Sequence, residues 1–234
     1  IGSDLGPGVL NDFKKNIPDR FFMEGIAEQH IIGMAAGLAF DGFIPYVNTI
    51  AVFLTRRCFE QVTLDLCLHD LPVRLIGNGG GLVYAPLGPT HQAIEDIGIL
   101  RTLPNMAIVA PCDAEEMKRL MNVSIDWPHP LYIRLAKGGD PIVSKPELDF
   151  KIGKGIHLKE GDDVLFITTG ITTQRALVAA QYLADEKVDC GVFHMHTIKP
   201  FDNKGLIQAA KSAELIVTIE EHVLNGGLGS VVLE

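Results

Sequence analysis

Short β-branched or aliphatic runs alternate with stretches of helical period along almost the whole chain, and that alternation leaves few folds open. Strand-like runs stand at 21–23, 44–47, 73–76, 106–109 and 131–134, with helical patterns at 27–40, 51–68, 92–102 and 114–124 between them. A strand followed by a helix, repeated, predicts a parallel sheet with helices on both faces. Residues 137–162 then gather Gly138, Gly139, Pro141, Pro146, Gly153, Gly155 and Gly161 among polar side chains, the composition of a linker. A second, smaller unit follows, with strands at 164–168, 191–194 and 215–219 and helices at 173–184 and 203–212. The expected architecture is α/β, with two domains of mainly parallel sheets flanked by helices: 1–140, a linker at 141–162, and 163–234. Residues 1–4 read like a strand already entering its loop, and 229–234 like the first turn of an unfinished helix. The chain therefore reads as a piece of a longer product. Ligands of open parallel sheets gather beyond the carboxyl ends of the strands, so the loops to watch begin near Gly2, Gly25, Asn48, Asn78 and Ala136.

Composition removes several function classes. The 234 residues are 47% hydrophobic and 21% charged, enough apolar material for a packed core. The formal net charge of −9 is a poor match to nucleic acid, whose phosphates favour basic faces. Cys58, Cys67, Cys112 and Cys190 show no CxxC spacing, which speaks against a zinc site or a disulfide framework. The most apolar early stretch, 31–40, is too short to span a bilayer, and no secretory pattern opens the chain. These features predict a soluble protein of the cytoplasm, with no membrane or nucleic-acid partner. His194 and His196 lie two apart on an expected strand and share a face, but no acidic or cysteine ligand is near them in sequence, so a structural role is the better reading.

Five stretches carry chemistry: GIAEQH (25–30), FLTRRCFEQV (53–62), GPTHQAIEDI (88–97), PNMAIVAPCDAEE (104–116) and EEHVLNGGLGS (220–230). In order and spacing they resemble the second half of transketolases and of deoxyxylulose-phosphate synthases, over essentially the whole chain. The resemblance implies dependence on thiamine diphosphate, with this chain supplying the pyrimidine-binding and C-terminal domains. The diphosphate and magnesium would be gripped by an N-terminal partner carrying a GDG motif. Gly161-Asp162-Asp163 has no such context and reads as a turn.

By the same resemblance, Glu28 is the catalytic glutamate that faces the pyrimidine ring nitrogen, and such a carboxyl is expected in a dry pocket that raises its pKa. The competing role, a glutamate favoured by the helix dipole in a first turn, lacks the GIAEQ context. Glu24, four residues earlier, is set aside. Phe53 corresponds to the aromatic that stacks on the ring, and Leu5, beside Ser3 and Asp4, to a residue touching the thiamine. His91 corresponds to the histidine that meets sugar hydroxyls or the reacting carbonyl; otherwise it would cap a helix beginning at Gln92. Arg56 and Arg134 fall where the family places arginines that meet a substrate phosphate, although matching the family requires one inserted residue just after Arg56. Each of them could equally be a structural ion pair.

Two positions depart from the family. Leu87 stands where an aspartate usually contacts substrate hydroxyls, and Gly79 where classical transketolases carry a histidine. They point to a less hydroxylated, modified or bulkier acceptor than the ordinary pentose phosphates. The expected function is the C-terminal subunit of a split transketolase, moving a two-carbon ketol unit between sugar phosphates or related substrates. It would work in an α2β2 heterotetramer in which pyrimidine domains meet through the small-residue helix at 27–40. The alternatives are a decarboxylating, deoxyxylulose-phosphate-synthase-like enzyme and an inactive regulatory partner of the same fold. The GPTHQ stretch speaks against the beta chain of a 2-oxoacid dehydrogenase.

Overall fold

The computed structural model describes residues 1–3, 8 and 10–234. Leu5 and Asp4 lie outside the described residues. A five-stranded sheet is built from β1 (Tyr46–Ile50), β2 (Arg74–Asn78), β3 (Ala107–Val109), β4 (Leu131–Leu135) and a strand contributed from far downstream. A four-stranded sheet combines β5 (Ile156–Lys159), β6 (Val164–Thr168), β7 (Cys190–His194) and β9 (Leu215–Ile219), and the downstream strand of the first sheet is β8 (Thr197–Lys199). The orders are β1-β2-β4-β3-β8 and β5-β7-β6-β9. All pairings within each sheet are parallel except β3 with β8 and β5 with β7. Two mainly parallel sheets flanked by helices is the architecture expected from the alternation.

Between the strands run α1 (Asn11–Asn16), α2 (Glu28–Phe40), α3 (Ala51–Thr55), α4 (Phe59–Gln61), α5 (Asp96–Arg101) and α6 (Ala114–Ser124); α7 (Thr172–Asp185), α8 (Asn203–Ala209) and α9 (Leu228–Leu233) follow. Helix α6 starts where its sequence says it should. Asp113 caps it, accepting the Glu116 N–H at 2.9 Å, and the Glu116 carboxylate reaches back to the Cys112 N–H at 2.7 Å.

Four sequence expectations need correction. Residues 51–68 do not make one helix: α3 stops at Thr55, residues 56–58 turn, and the chain resumes through α4 into a π-helical segment, Val62–Cys67. An extra residue cannot be absorbed at 3.6 per turn, and a wide π turn is how a helix takes one in. The helix expected from Gln92 begins at Asp96, because Ala93 instead bridges Gly80 and Gly81. Part of the expected linker is strand β5, whose burial alternates in the manner of a half-buried edge strand. The glycines around it masked that alternation. Finally, β8 leaves the second unit and pairs with β3, and both hydrophobic clusters draw on both sheets, so the units share their core.

Two short bridges finish the frame of the site. Gly2 pairs in parallel with both Met23 and Asn48. Ser3, the loop leading to Glu28, and Thr49 therefore emerge together at the carboxyl edge of the sheet, beside Asn78 at the end of β2.

Candidate active site

Glu28 is the first residue of α2 and is 2% exposed, whereas Glu24 is exposed. Its Oε1 accepts the Ser3 hydroxyl at 2.5 Å, and Ser3 in turn lies 3.2 Å from Thr49 Oγ1. Its Oε2 accepts from Arg57 Nη1 at 2.6 Å. The Arg57 guanidinium also lies over the Phe53 ring, 4.2 Å from its centroid. On another side of Phe53, the His91 ring stands edge-on at 5.3 Å. Glu28, Phe53 and His91, distant in sequence, are thus gathered around one spot.

The electrostatics of Glu28 differ from expectation. Burial pushes its carboxyl up, but the Ser3 hydroxyl, Arg57 and its own helix-terminal N–H outweigh that and hold it below the usual value. The expectation of a raised pKa fails because it left out Arg57, a cation in direct contact. Nearby, burial pushes the Cys58 thiol up to about 12, with the Glu28 charge adding to it, and the thiol donates to Phe53 O at 3.1 Å. Cys58 is therefore an inert packing residue.

The two arginines expected at a substrate phosphate are otherwise engaged. Arg134 is 6% exposed; its Nε bonds Asp96 at 2.8 Å, and its Nη2 donates to Ala93 O and Glu221 O at 2.8 and 2.9 Å. Tyr132 donates to the same Asp96 oxygen at 2.7 Å. Arg134 is a buried structural tie, not a phosphate ligand. Arg56, though exposed, pairs with Glu95 at 3.0 Å and donates to Pro89 O at 2.9 Å, so it braces the loop that carries His91.

Gly79 has a structural reason to be glycine. Its φ is +74°, and a Cβ there would stand 2.1 Å from the Tyr84 ring. Tyr84 thus covers the place a histidine would need. Leu87 ends a short 3₁₀ turn and is 56% exposed.

His194 and His196 have the acidic and thiol neighbours that sequence distance concealed. Glu116, Cys112 and His194 place one ligand atom each within 4.8 Å of one another, all buried. Within that group, His194 Nε2 donates to Glu116 at 2.9 Å and His194 Nδ1 meets Thr173 Oγ1 at the same distance. Burial and the adjoining Glu116 and Asp113 push the Cys112 thiol far up, which opposes the thiolate a metal would need. The group is a hydrogen-bonded tie between the two units.

The site contact that sequence reasoning passed over is that of Arg57 with Glu28 and Phe53. Its signal was present in the Arg56-Arg57 pair and in the single inserted residue that a match to the family demanded at this point. No helix among the described residues is long and apolar enough to cross a membrane.

Comparison with known proteins identifies the family. Residues 1–139 match the family model "Transketolase, pyrimidine binding domain", and residues 153–234 match "Transketolase, C-terminal domain". One of the subunits of the apulose-4-phosphate transketolase of Phocaeicola vulgatus is 38% identical over 230 residues, 98% of this chain and 74% of that protein. A 1-deoxy-D-xylulose-5-phosphate synthase of Geobacter sulfurreducens is 41% identical over 227 residues, 96% of this chain but 35% of the synthase. Among solved structures, a split-gene transketolase described as an inactive beta4 tetramer superposes with a TM-score of 0.90 at 40% identity, covering 98% of this chain and 74% of that one. The chain belongs to the transketolase family, whose members depend on thiamine diphosphate, and it spans the pyrimidine-binding and C-terminal domains.

Proposed function

We propose that this chain is the pyrimidine-binding subunit of a split transketolase that transfers a two-carbon ketol unit between sugar phosphates or related substrates. The single observation that carries the reading is the convergence of a buried carboxylate, Glu28, with an aromatic face, Phe53, and an imidazole, His91. Its fit to the cofactor can be tested on the residues present. A flat nitrogen donor already lies on Phe53 and bonds Glu28, in the form of the Arg57 guanidinium. An aminopyrimidine ring presents the same combination of planarity and hydrogen-bonding nitrogen, so the residues suit it. The similarity to one subunit of an apulose-4-phosphate transketolase and to a split-gene transketolase supports the placement of the diphosphate grip on a second polypeptide.

When bound, thiamine diphosphate supplies a nucleophilic thiazolium carbon and an electron sink. This chain's residues do the rest. Phe53 fixes the ring and excludes water. Glu28, anchored by Ser3, holds or releases a proton at Oε2 against the ring nitrogen. His91 exchanges a proton with the substrate's oxygen, and Arg56 keeps its loop in place. A partner subunit with the GDG motif holds magnesium and the diphosphate in an α2β2 assembly, with the exposed Gly33 and Gly37 of α2 giving a second copy room to approach. Tyr84 over Gly79, with the apolar Leu87 in the loop before His91, supports a less hydroxylated or bulkier acceptor than ribose 5-phosphate.

Calorimetry of thiamine diphosphate with magnesium, on this subunit alone and on its mixture with the GDG-bearing subunit, tests the proposal. Binding in the mixture only, lost in Glu28→Ala, is expected. A stable complex that never binds the cofactor would place the chain among inactive partners instead.

A further inference from the structure

Arg57 lies in the three-residue turn that separates α3 from α4, where a continuous helix was expected. Its N–H reaches back five residues to Val52 O at 3.4 Å, a carbonyl that also accepts the Arg56 N–H at 3.1 Å. From this turn the half-exposed side chain reaches the Glu28 carboxylate. There the guanidinium has two partners at once: the Phe53 ring at 4.2 Å and the Glu28 carboxylate at 2.6 Å. These are the two groups that the proposed function reserves for one face and one nitrogen of the pyrimidine. A ring cannot occupy that space while the guanidinium fills it.

We propose that Arg57 is an internal stand-in for the aminopyrimidine: in the free subunit it fills the ring site between Phe53 and Glu28, and it must swing out before the cofactor enters. This inference rests on the proposed function. The plug is built to be removable. The Arg57 side chain is 43% exposed while that of Glu28 is 1% exposed, so the arginine can re-enter water without carrying the carboxylate with it. It also keeps the carboxylate from being buried unpaired while the site waits, because a buried charge without a partner is costly. Once Arg57 leaves, Glu28 keeps the Ser3 hydroxyl, and its freed oxygen faces the ring. The carboxyl is then surrounded mostly by burial, which favours the protonated form needed for exchange with a ring nitrogen. One side-chain movement therefore vacates the site and changes the acidity of its carboxyl.

The test uses the full subunit, alone and assembled with the diphosphate-binding subunit, in wild-type and Arg57→Met forms. Arg57→Gln serves as the second variant should Arg57→Met fold poorly. In the free subunit, difference infrared titration, with the Glu28 band assigned by Glu28→Gln, should show the carboxyl of the Arg57 variant titrating at higher pH. In the complex, calorimetry and stopped-flow fluorescence follow thiamine diphosphate with magnesium. If the vacated arrangement is about one tenth of the wild-type population, the variant's apparent Kd falls about ten-fold. An unmoved carboxyl titration would show that Arg57 does not rest on Glu28, and the proposal falls. Weaker cofactor binding in the variant would make Arg57 a cofactor contact, and the proposal also falls. A shifted carboxyl with no cofactor binding in any form would defeat the reading of the site, and the gating with it, while leaving the Arg57–Glu28 contact standing.

Discussion

Two buried glutamates, each bonded to one nitrogen-bearing side chain, show how differently the same chemistry can be used. Glu116 sits at 0% exposure, bonded to His194, which is equally buried, and joins the first unit to the second. Glu28 is almost as buried, but its cation, Arg57, reaches it from half-exposed ground. Neither partner of the interior pair has a route to water. Of the other pair, one partner has. A hydrogen-bonded pair closed on both sides works as a structural tie, and an ion pair open on a single side can exchange its cation for a ligand.

Removal of Glu116 should therefore do the most damage. Glu116→Ala leaves the buried His194 Nε2 and the Cys112 N–H without their acceptor inside a shared core, at a cost of about 1–3 kcal/mol for each in urea unfolding. Glu28→Ala in the same measurement should cost about 1–2 kcal/mol, because Arg57 turns to solvent and the buried Ser3 hydroxyl loses its carboxylate acceptor. Equal losses would erase the distinction between the two sites.

Acid should strike the interior first. Burial pushes His196 down to about 3 from its ordinary 6.5, so the unfolded chain binds a proton that the folded one refuses, and stability falls as pH drops below 6.5. Glu116 adds to this lower down. Burial raises its carboxyl, but His194 holds it at about 2 against an ordinary 4.5, so its contribution is full above 4.5 and is lost as pH falls toward 2. Thermal midpoints measured from pH 7 to pH 3 should decline in these two stages. Added salt should change them little, since buried pairs are poorly screened, whereas salt should loosen Arg57 from Glu28. A midpoint that is flat down to pH 4.5 would remove His196 from the account.

The two sites were also unequally legible. Strand and helix alternation and the positions of β9 and α6 follow from local periodicity, which the sequence carries openly. The Glu28, Phe53 and His91 grouping could be read because family motifs mark its members. What could not be read depends on contacts across long separations. Glu116 and His194 are 78 positions apart, and only packing of the two units brings them together. Strand β8 is three residues long, too short to show a period, and its partner β3 lies about ninety residues earlier. Arg134 resembles the family's phosphate-binding arginine, and its structural role was hidden because its partners Asp96 and Glu221 are remote in sequence. Arg57 was hidden in the same way, since its partner Glu28 lies 29 positions earlier.

The smallest effect separates the anchor of Glu28 from its plug. Ser3 is 3% exposed and donates to Oε1, while Arg57 donates to Oε2. Ser3→Ala removes one neutral donor from a buried carboxylate that keeps its cation, so the loss should be about 0.5–1.5 kcal/mol, the net worth of an ordinary hydrogen bond. Removal of Ser3 should raise the carboxyl's pKa, as removal of Arg57 should, because both donors hold it down. The two variants should part company on thiamine diphosphate. Without Arg57 the ring site is vacated; without Ser3 it stays filled and the carboxylate loses the bond that orients it. Ser3→Ala should therefore weaken cofactor binding slightly while Arg57→Met strengthens it. Opposite signs from two donors to one carboxylate would show that the oxygen facing Ser3 is the fixed one and the oxygen facing Arg57 is the one kept for the ring.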